Sequence, residues 1–263
     1  MVSMILPGGI QFYSYRDTRF KQGALSIQFV CPMKKMESAY NALFPAVLLR
    51  GTNKHPDLRS ITLRLDDLYG AAVSTSVRRV GDYQTTGFYC NFMEDKFALD
   101  GDAILAPMLD FIFELLLDPV MEDGAFSKDF VESEKKNLIS TIEAELNDKR
   151  AYAAAQLLKN MCREDTFGLP RLGEKEDVEK ITPQSLYAHY STLLKEYPVQ
   201  VFYVGSEEPE AVAQLLNKHF GNIQRAPISL PPQTAYRNAE ESHVTEMLDV
   251  TQAKLCMGFA QIF

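Results

Sequence analysis

The sequence predicts an α+β fold in which a mixed, mainly antiparallel sheet carries its helices on one face. Three observations lead there. Two strand-like runs open the chain, a hairpin follows two helices, and one further apolar strand appears late, after a long helical stretch. At 263 residues the chain can bury a sizeable core, and 46% hydrophobic with 24% charged residues is ordinary for a globular protein.

Each element has its own signal. Residues 9–15 and 23–29 roughly alternate apolar and polar side chains, the period of a half-buried strand. Ser38 is a cap for a helix running to about Arg50 and stopped by Gly51. Pro56 and Asp57 open a second helix, with Ile61, Leu63, Leu65 and Leu68 as its apolar side and Gly70 as its end. Residues 72–80 and 84–93, rich in β-branched and aromatic residues, flank Gly81-Asp82 as a hairpin. An apolar helix over 103–117 closes at Asp118-Pro119.

The stretch 127–161 has few breakers and reads as one long helix or two in line. Thr182-Pro183 caps a helix to about Leu194, Val199 to Val204 is a strand ending at Gly205, and Glu207 to His219 is a helix ending at Gly221. Pro227, Pro231 and Pro232 mark a linker over 227–240. These boundaries divide the chain into a domain over 1–226, the linker, and a segment 241–263 that opens a further domain.

The totals exclude some function classes. A net charge of -8 opposes general nucleic-acid binding, because phosphates would be repelled. The basic pairs Lys34-Lys35, Arg78-Arg79 and Lys135-Lys136 are isolated and read as solvated faces. No charged stretch precedes the short apolar run at the start, and the run 111–117 is too short to span a bilayer, so no membrane role is expected. Cys31, Cys90, Cys162 and Cys256 are scattered without C-x-x-C spacing, as expected of free thiols in the cytoplasm.

The segment 42–52 reads Ala-Leu-Phe-Pro-Ala-Val-Leu-Leu-Arg-Gly-Thr. Its closing Gly51-Thr52 resembles the pair that follows H-x-x-E-H in the insulinase-like M16 metallopeptidases. In that motif two histidines at i and i+4 share a helical face and ligate zinc, and the glutamate is the general base. Anchored on Gly51-Thr52, the histidine positions fall on Ala42 and Ala46 and the glutamate position on Pro45.

Further passages are similar to the family in collinear order over roughly residues 8–221. They are residues 65–76 as helix, glycine and cleft-edge strand, residues 115–119 as the L-L-x-x-P helix end, and residues 132–139 as the helix of the third ligand. The strand 201–205 and the helix end 215–221 complete the set. The resemblance implies the two-layer M16 sandwich, of the LuxS/metallohydrolase-like kind. It places the third-ligand position on Thr141 if Glu134 leads the glutamate pair, with Glu132 and Glu143 close enough to leave the register open.

Alanine and proline side chains have no atom to give a metal, and threonine is a poor zinc ligand, so neither zinc nor metal catalysis is expected. Loss of an outer-shell partner alone typically lowers metal affinity roughly 10- to 100-fold. His55, His189, His219 and His243 do not pair at helical spacing and read as surface or capping residues. Pro45 is expected to kink its helix or delay the helix start.

The resemblance further implies a two-halved chamber, shared within one chain or between an active and an inactive subunit. Residues 251–259 are similar to the strand that opens an M16 second half, and such a strand would expose Leu255, Met257 and Phe259. The sequence is therefore expected to be one half plus the start of the next, from a longer or truncated chain. The leading function is a non-catalytic partner subunit, dimeric with an active M16 peptidase or with itself, enclosing a peptide or unfolded protein.

The edge strand Ala72 to Val77, with Ser74, Thr75 and Ser76 at its centre, would offer backbone groups to an extended peptide by strand addition, with Arg78 and Arg79 just beyond favouring acidic segments. The alternatives are a zinc-dependent endopeptidase with non-standard ligands, or a purely structural scaffold subunit. The F-P-A-V-L-L-R-G-T run resembles bacterial M16-like proteins associated with elongation factor P modification.

Overall fold

A computed structural model describes residues 1–221, 223–231 and 241–259. Three strands open it: β1 (Val2–Leu6), β2 (Ile10–Arg16) and β3 (Gln22–Pro32). Helices α1 (Lys35–Leu48) and α2 (Leu58–Asp67) lead to the hairpin of β4 (Ala72–Val80) and β5 (Tyr83–Met93). Helix α3 (Leu105–Leu117) follows, then a short ribbon of β6 (Met121–Glu122) and β7 (Ala125–Phe126). After it come α4 (Lys128–Ala144), α5 (Lys149–Met161), α6 (Lys175–Glu179), α7 (Pro183–Glu196), β8 (Val199–Gly205) and α8 (Pro209–Phe220).

The main sheet has six strands in the order β1-β2-β8-β3-β5-β4. Only β2 and β8 run parallel, so the sheet is mixed and mainly antiparallel, as the sequence predicts. Alternation decides its two faces. Leu25, Ile27, Phe29 and Cys31 of β3, and Phe88, Cys90 and Phe92 of β5, are buried in the helix-covered core. The opposite face carries Tyr13 stacked on Phe202, whose ring is about half exposed.

Several expectations are corrected. Helix α1 begins at Lys35, so Ser38 lies inside its first turn and its hydroxyl donates back to the Lys34 carbonyl. Pro45 does not delay the start of α1, which begins at Lys35 and carries Pro45 inside it to Leu48. A proline here leaves the Asn41 carbonyl without its i+4 donor. The Thr86 hydroxyl of β5 donates to that carbonyl at 2.6 Å, which offsets the loss.

Leu63 of α2 is exposed, because residues two apart do not share a helical face, whereas Ile61 and Leu68 are buried. The long helical stretch divides at residues 145–147, and Asp148 caps α5 by accepting from the Arg150 and Ala151 amides. Strand β1, the β6–β7 ribbon and α6 had no signal that the sequence reading used.

Of the linker, residues 232–240 lie outside the described residues, and residues 260–263 of the expected opening strand do too. Residues 223–231 are tied to the body. Arg225 donates to the Leu194 and Tyr197 carbonyls, and the Ile228 amide donates to Glu196. Residues 241–259 form no strand; they reach α5 through Tyr152, whose hydroxyl donates to Glu246 at 2.8 Å, and through Gly258 beside Met161. Leu255, Met257 and Phe259 are exposed there.

Candidate functional site

Helix α1 crosses β5 and β4 and packs against α4, and between these elements a cleft of about 420 Å³ opens at the sheet edge. Ala42 and Ala46 of α1 and Thr141 of α4 all line it, so the fold brings together the positions that the sequence spacing marks. Thr75, Ser76 and Arg78 of β4 form the facing wall, while Ser74 and Pro45 do not line the cleft. Pro45 is buried in the core, and the Ser74 hydroxyl donates to the Tyr89 carbonyl across the hairpin.

The donor set does not fit zinc. Ala42 and Ala46 present methyl groups, and the Thr141 hydroxyl donates to the Asn137 carbonyl one turn back in its own helix. Glu134 does reach the cleft, but it is held by an ion pair to Arg50 at 3.3 Å and by the Asn137 amide. Arg50 in turn lies over the Phe130 ring. Glu132 pairs with Lys135 and Glu143 with Lys175, and neither lines the cleft. Among the described residues, no group of three or more His, Cys, Asp or Glu side chains is placed to hold a metal.

The four histidines lie elsewhere. His55 Nδ1 meets Glu114 at 2.7 Å, His219 stacks on Phe113 and pairs with Asp110, and His243 is exposed beside Glu241. His189 is neither a surface nor a capping residue. Its Nε2 meets Asn41 Oδ1 at 2.7 Å, and burial lowers its pKa to about 4.

Asn41 is the hub of a buried polar chain behind the cleft. Its amide nitrogen donates to Gln84 Oε1, and Gln84 Nε2 donates to the Ser38 and Arg171 carbonyls. That donation makes Asn41 Oδ1 an acceptor, so the proton lies on Nε2 of His189.

The Gly51-Thr52 pair is a structural joint. A Cβ on Gly51 would lie 2.7 Å from the Pro56 carbonyl oxygen, so only glycine lets the chain turn there. Thr52 is fully buried; its hydroxyl donates to Glu114 and accepts from the His55 amide. Glu114 of α3 therefore gathers Thr52, His55 and, at 3.8 Å, Lys54.

Strand β4 is the sheet's edge, pairing only with β5. Its second half is tied to the 166–171 loop. Arg79 donates to the Thr166, Phe167 and Leu169 carbonyls and lies over the Phe167 ring, so it is committed to this loop and does not face a ligand. Lys135 is likewise buried, donating to the Glu179 and Ile181 carbonyls; it is not a solvated charge. The sequence reading missed Arg171 and Leu172 as cleft residues, since no spacing ties the 166–172 loop to β4, and it did not single out Asn137 of α4.

Comparison with solved structures decides the fold. A conserved protein from Enterococcus faecalis V583 superposes with a TM-score of 0.78 at 24% identity, covering 85% of this chain and 52% of that one. A peptidase M16 inactive domain from Pseudomonas fluorescens superposes with a TM-score of 0.66 at 14% identity, covering 88% and 52%. The chain carries the M16 peptidase fold.

The M16 resemblance read from the sequence is borne out by two further likenesses. Residues 180–261 match the family described as the peptidase M16 inactive domain. A probable inactive metalloprotease, YmfF, of Bacillus subtilis (strain 168) is 29% identical over 252 residues, which is 96% of this chain and 59% of that protein. The chain thus spans a little over half the length of the relatives it matches. No helix among the described residues is long and apolar enough to cross a membrane.

Proposed function

We propose that this chain is a catalytically inactive M16 homologue that binds zinc poorly or not at all and serves as a non-catalytic partner, holding extended peptide for an active zinc peptidase. One observation carries the reading. The cleft at the metal-ligand positions is lined by Ala42, Ala46 and a self-bonded Thr141, yet the strand on the same cleft, β4, is an edge with no second strand paired to it among the described residues. Without a metal there is no activated water, whereas an unpaired edge can still take up peptide through backbone hydrogen bonds.

Residues 1–226 then act as one half of a chamber, and residues 227–263 lead toward its other half. The exposed Leu255, Met257 and Phe259 support association, with the rest of a longer chain, a second copy or the active partner. The relative named as an inactive metalloprotease is consistent with this assignment. The buried thiols of Cys31 and Cys90 suit the reducing cytoplasm.

The test is to add the purified chain to an H-x-x-E-H homologue from the same organism and follow cleavage of an unstructured fluorogenic peptide. Activity should rise several-fold and saturate at a fixed ratio of the two chains. Activity that does not change at any ratio would count against the partner role.

A further inference from the structure

Resting on the peptide-holding reading, we infer that the cleft selects peptides bearing a carboxylate, which docks on the Arg78 and Arg171 guanidinium groups at the closed end of the β4 edge. In a chain of net charge -8, two exposed arginines line this one cleft, and among the described residues neither forms an ion pair with an acidic side chain. The carboxylate that shares the cleft, Glu134, is already neutralised by Arg50.

Arg171 is also held in place. Its carbonyl accepts from Gln84 at 2.7 Å within the buried polar chain, and its Nη1 donates to the Val77 carbonyl at 3.1 Å. That bond occupies a backbone acceptor on β4, and Arg79 ties the strand beyond it to the 166–169 loop. Strand addition is therefore confined to residues 72–76, and a peptide laid along them ends against the remaining N–H groups of Arg171 with Arg78 beside it. A guanidinium fixed by its backbone and one hydrogen bond loses little freedom on gripping a planar carboxylate. The carboxylate can be a Glu or Asp side chain or a C-terminus, and the experiment separates them.

Binding of labelled extended heptapeptides to the full chain is followed by fluorescence anisotropy. The peptides carry one central glutamate, or glutamine in its place, each with a free or amidated C-terminus. Removing the responsible carboxylate should weaken binding roughly fivefold to tenfold, between the worth of an exposed ion pair and a charge-assisted bidentate one. The substituted position, side chain or terminus, names the source.

Arg171→Gln should erase the discrimination, and Arg171→Lys should keep part of it. The double variant Arg78→Glu/Arg171→Glu should favour a lysine-bearing peptide, an inversion that general loosening of the loop cannot produce. Equal binding of all four peptides overturns this inference and leaves the peptide-holding reading intact. No binding by any of them overturns both.

Discussion

Two neighbouring regions share helix α1 and its exit turn but have very different chemistry. At the cleft, Ala42 and Ala46 have no electron pair to give a ligand, and Thr141 is a poor metal ligand whose hydroxyl is bonded within its own helix. A few residues on, at Gly51-Thr52, the side chains are joined by hydrogen bonds: Thr52 joins Glu114 and the His55 amide, and His55 joins Glu114 in turn. The first set contributes only shape to the fold, so losing its donors costs no stability. The second ties α1 to α3 through buried polar atoms, and replacing one member leaves others unsatisfied. A retained Gly-Thr pair is thus evidence of scaffold, not of activity.

The comparison is broken most forcefully at Glu114. Glu114→Ala strands the Thr52 hydroxyl and the His55 ring, and should lower stability by about 3 kcal/mol, or roughly 8 °C of melting temperature. Thermal unfolding followed by circular dichroism checks this. A change under a degree would mean that the joint is not structural.

Next in size is the compensation for Pro45. Thr86→Val leaves the Asn41 carbonyl without a donor and should cost about 2 kcal/mol. In a Pro45→Ala background the residue-45 N–H can take that carbonyl, so the same change should cost under about 1 kcal/mol. Denaturant unfolding of the four-member cycle reads the coupling, and additive costs would contradict the arrangement.

The smallest effect sharpens the account of the polar chain. Desolvation holds the His189 pKa at about 4, below the ordinary 6.5, with the Glu37 and Lys34 charges opposing one another nearby. The unfolded state therefore binds the extra proton first as pH falls. The stability due to a neutral His189 is fully present above pH 6.5 and lost progressively toward pH 4. His189→Gln, which can still donate to Asn41, should show a shallower loss over that window in pH-dependent melts. Identical slopes would mean that His189 is not held neutral.

Much of this was legible in advance where sequence and local physics agree. The β4–β5 hairpin, the Thr182-Pro183 start of α7 and the strand β8 all obey nearest-neighbour rules, and the family resemblance, anchored on Gly51-Thr52 for α1 and on Glu134 for α4, marked Ala42, Ala46 and Thr141, which share one cleft. What stayed hidden depends on contacts distant in sequence. Pro45 sits inside a helix because Thr86, forty-one residues on, serves Asn41. Arg79 looks like a solvated charge until the 166–169 carbonyls close on it, and nothing local brings Arg171 beside Val77. Strand β1, only five residues long and on the sheet's edge, lacked a clean alternation to announce it.

The central claim, that the cleft has lost its metal and kept its shape, is tested most directly by zinc titration calorimetry on two proteins in parallel. One is the native chain and the other carries Ala42→His, Pro45→Glu, Ala46→His and Thr141→Glu. The account predicts no stoichiometric high-affinity zinc on the native chain and one zinc per chain on the grafted variant, bound at least about 100-fold more tightly. One tightly bound zinc on the native chain, lost on adding a chelator, would contradict it.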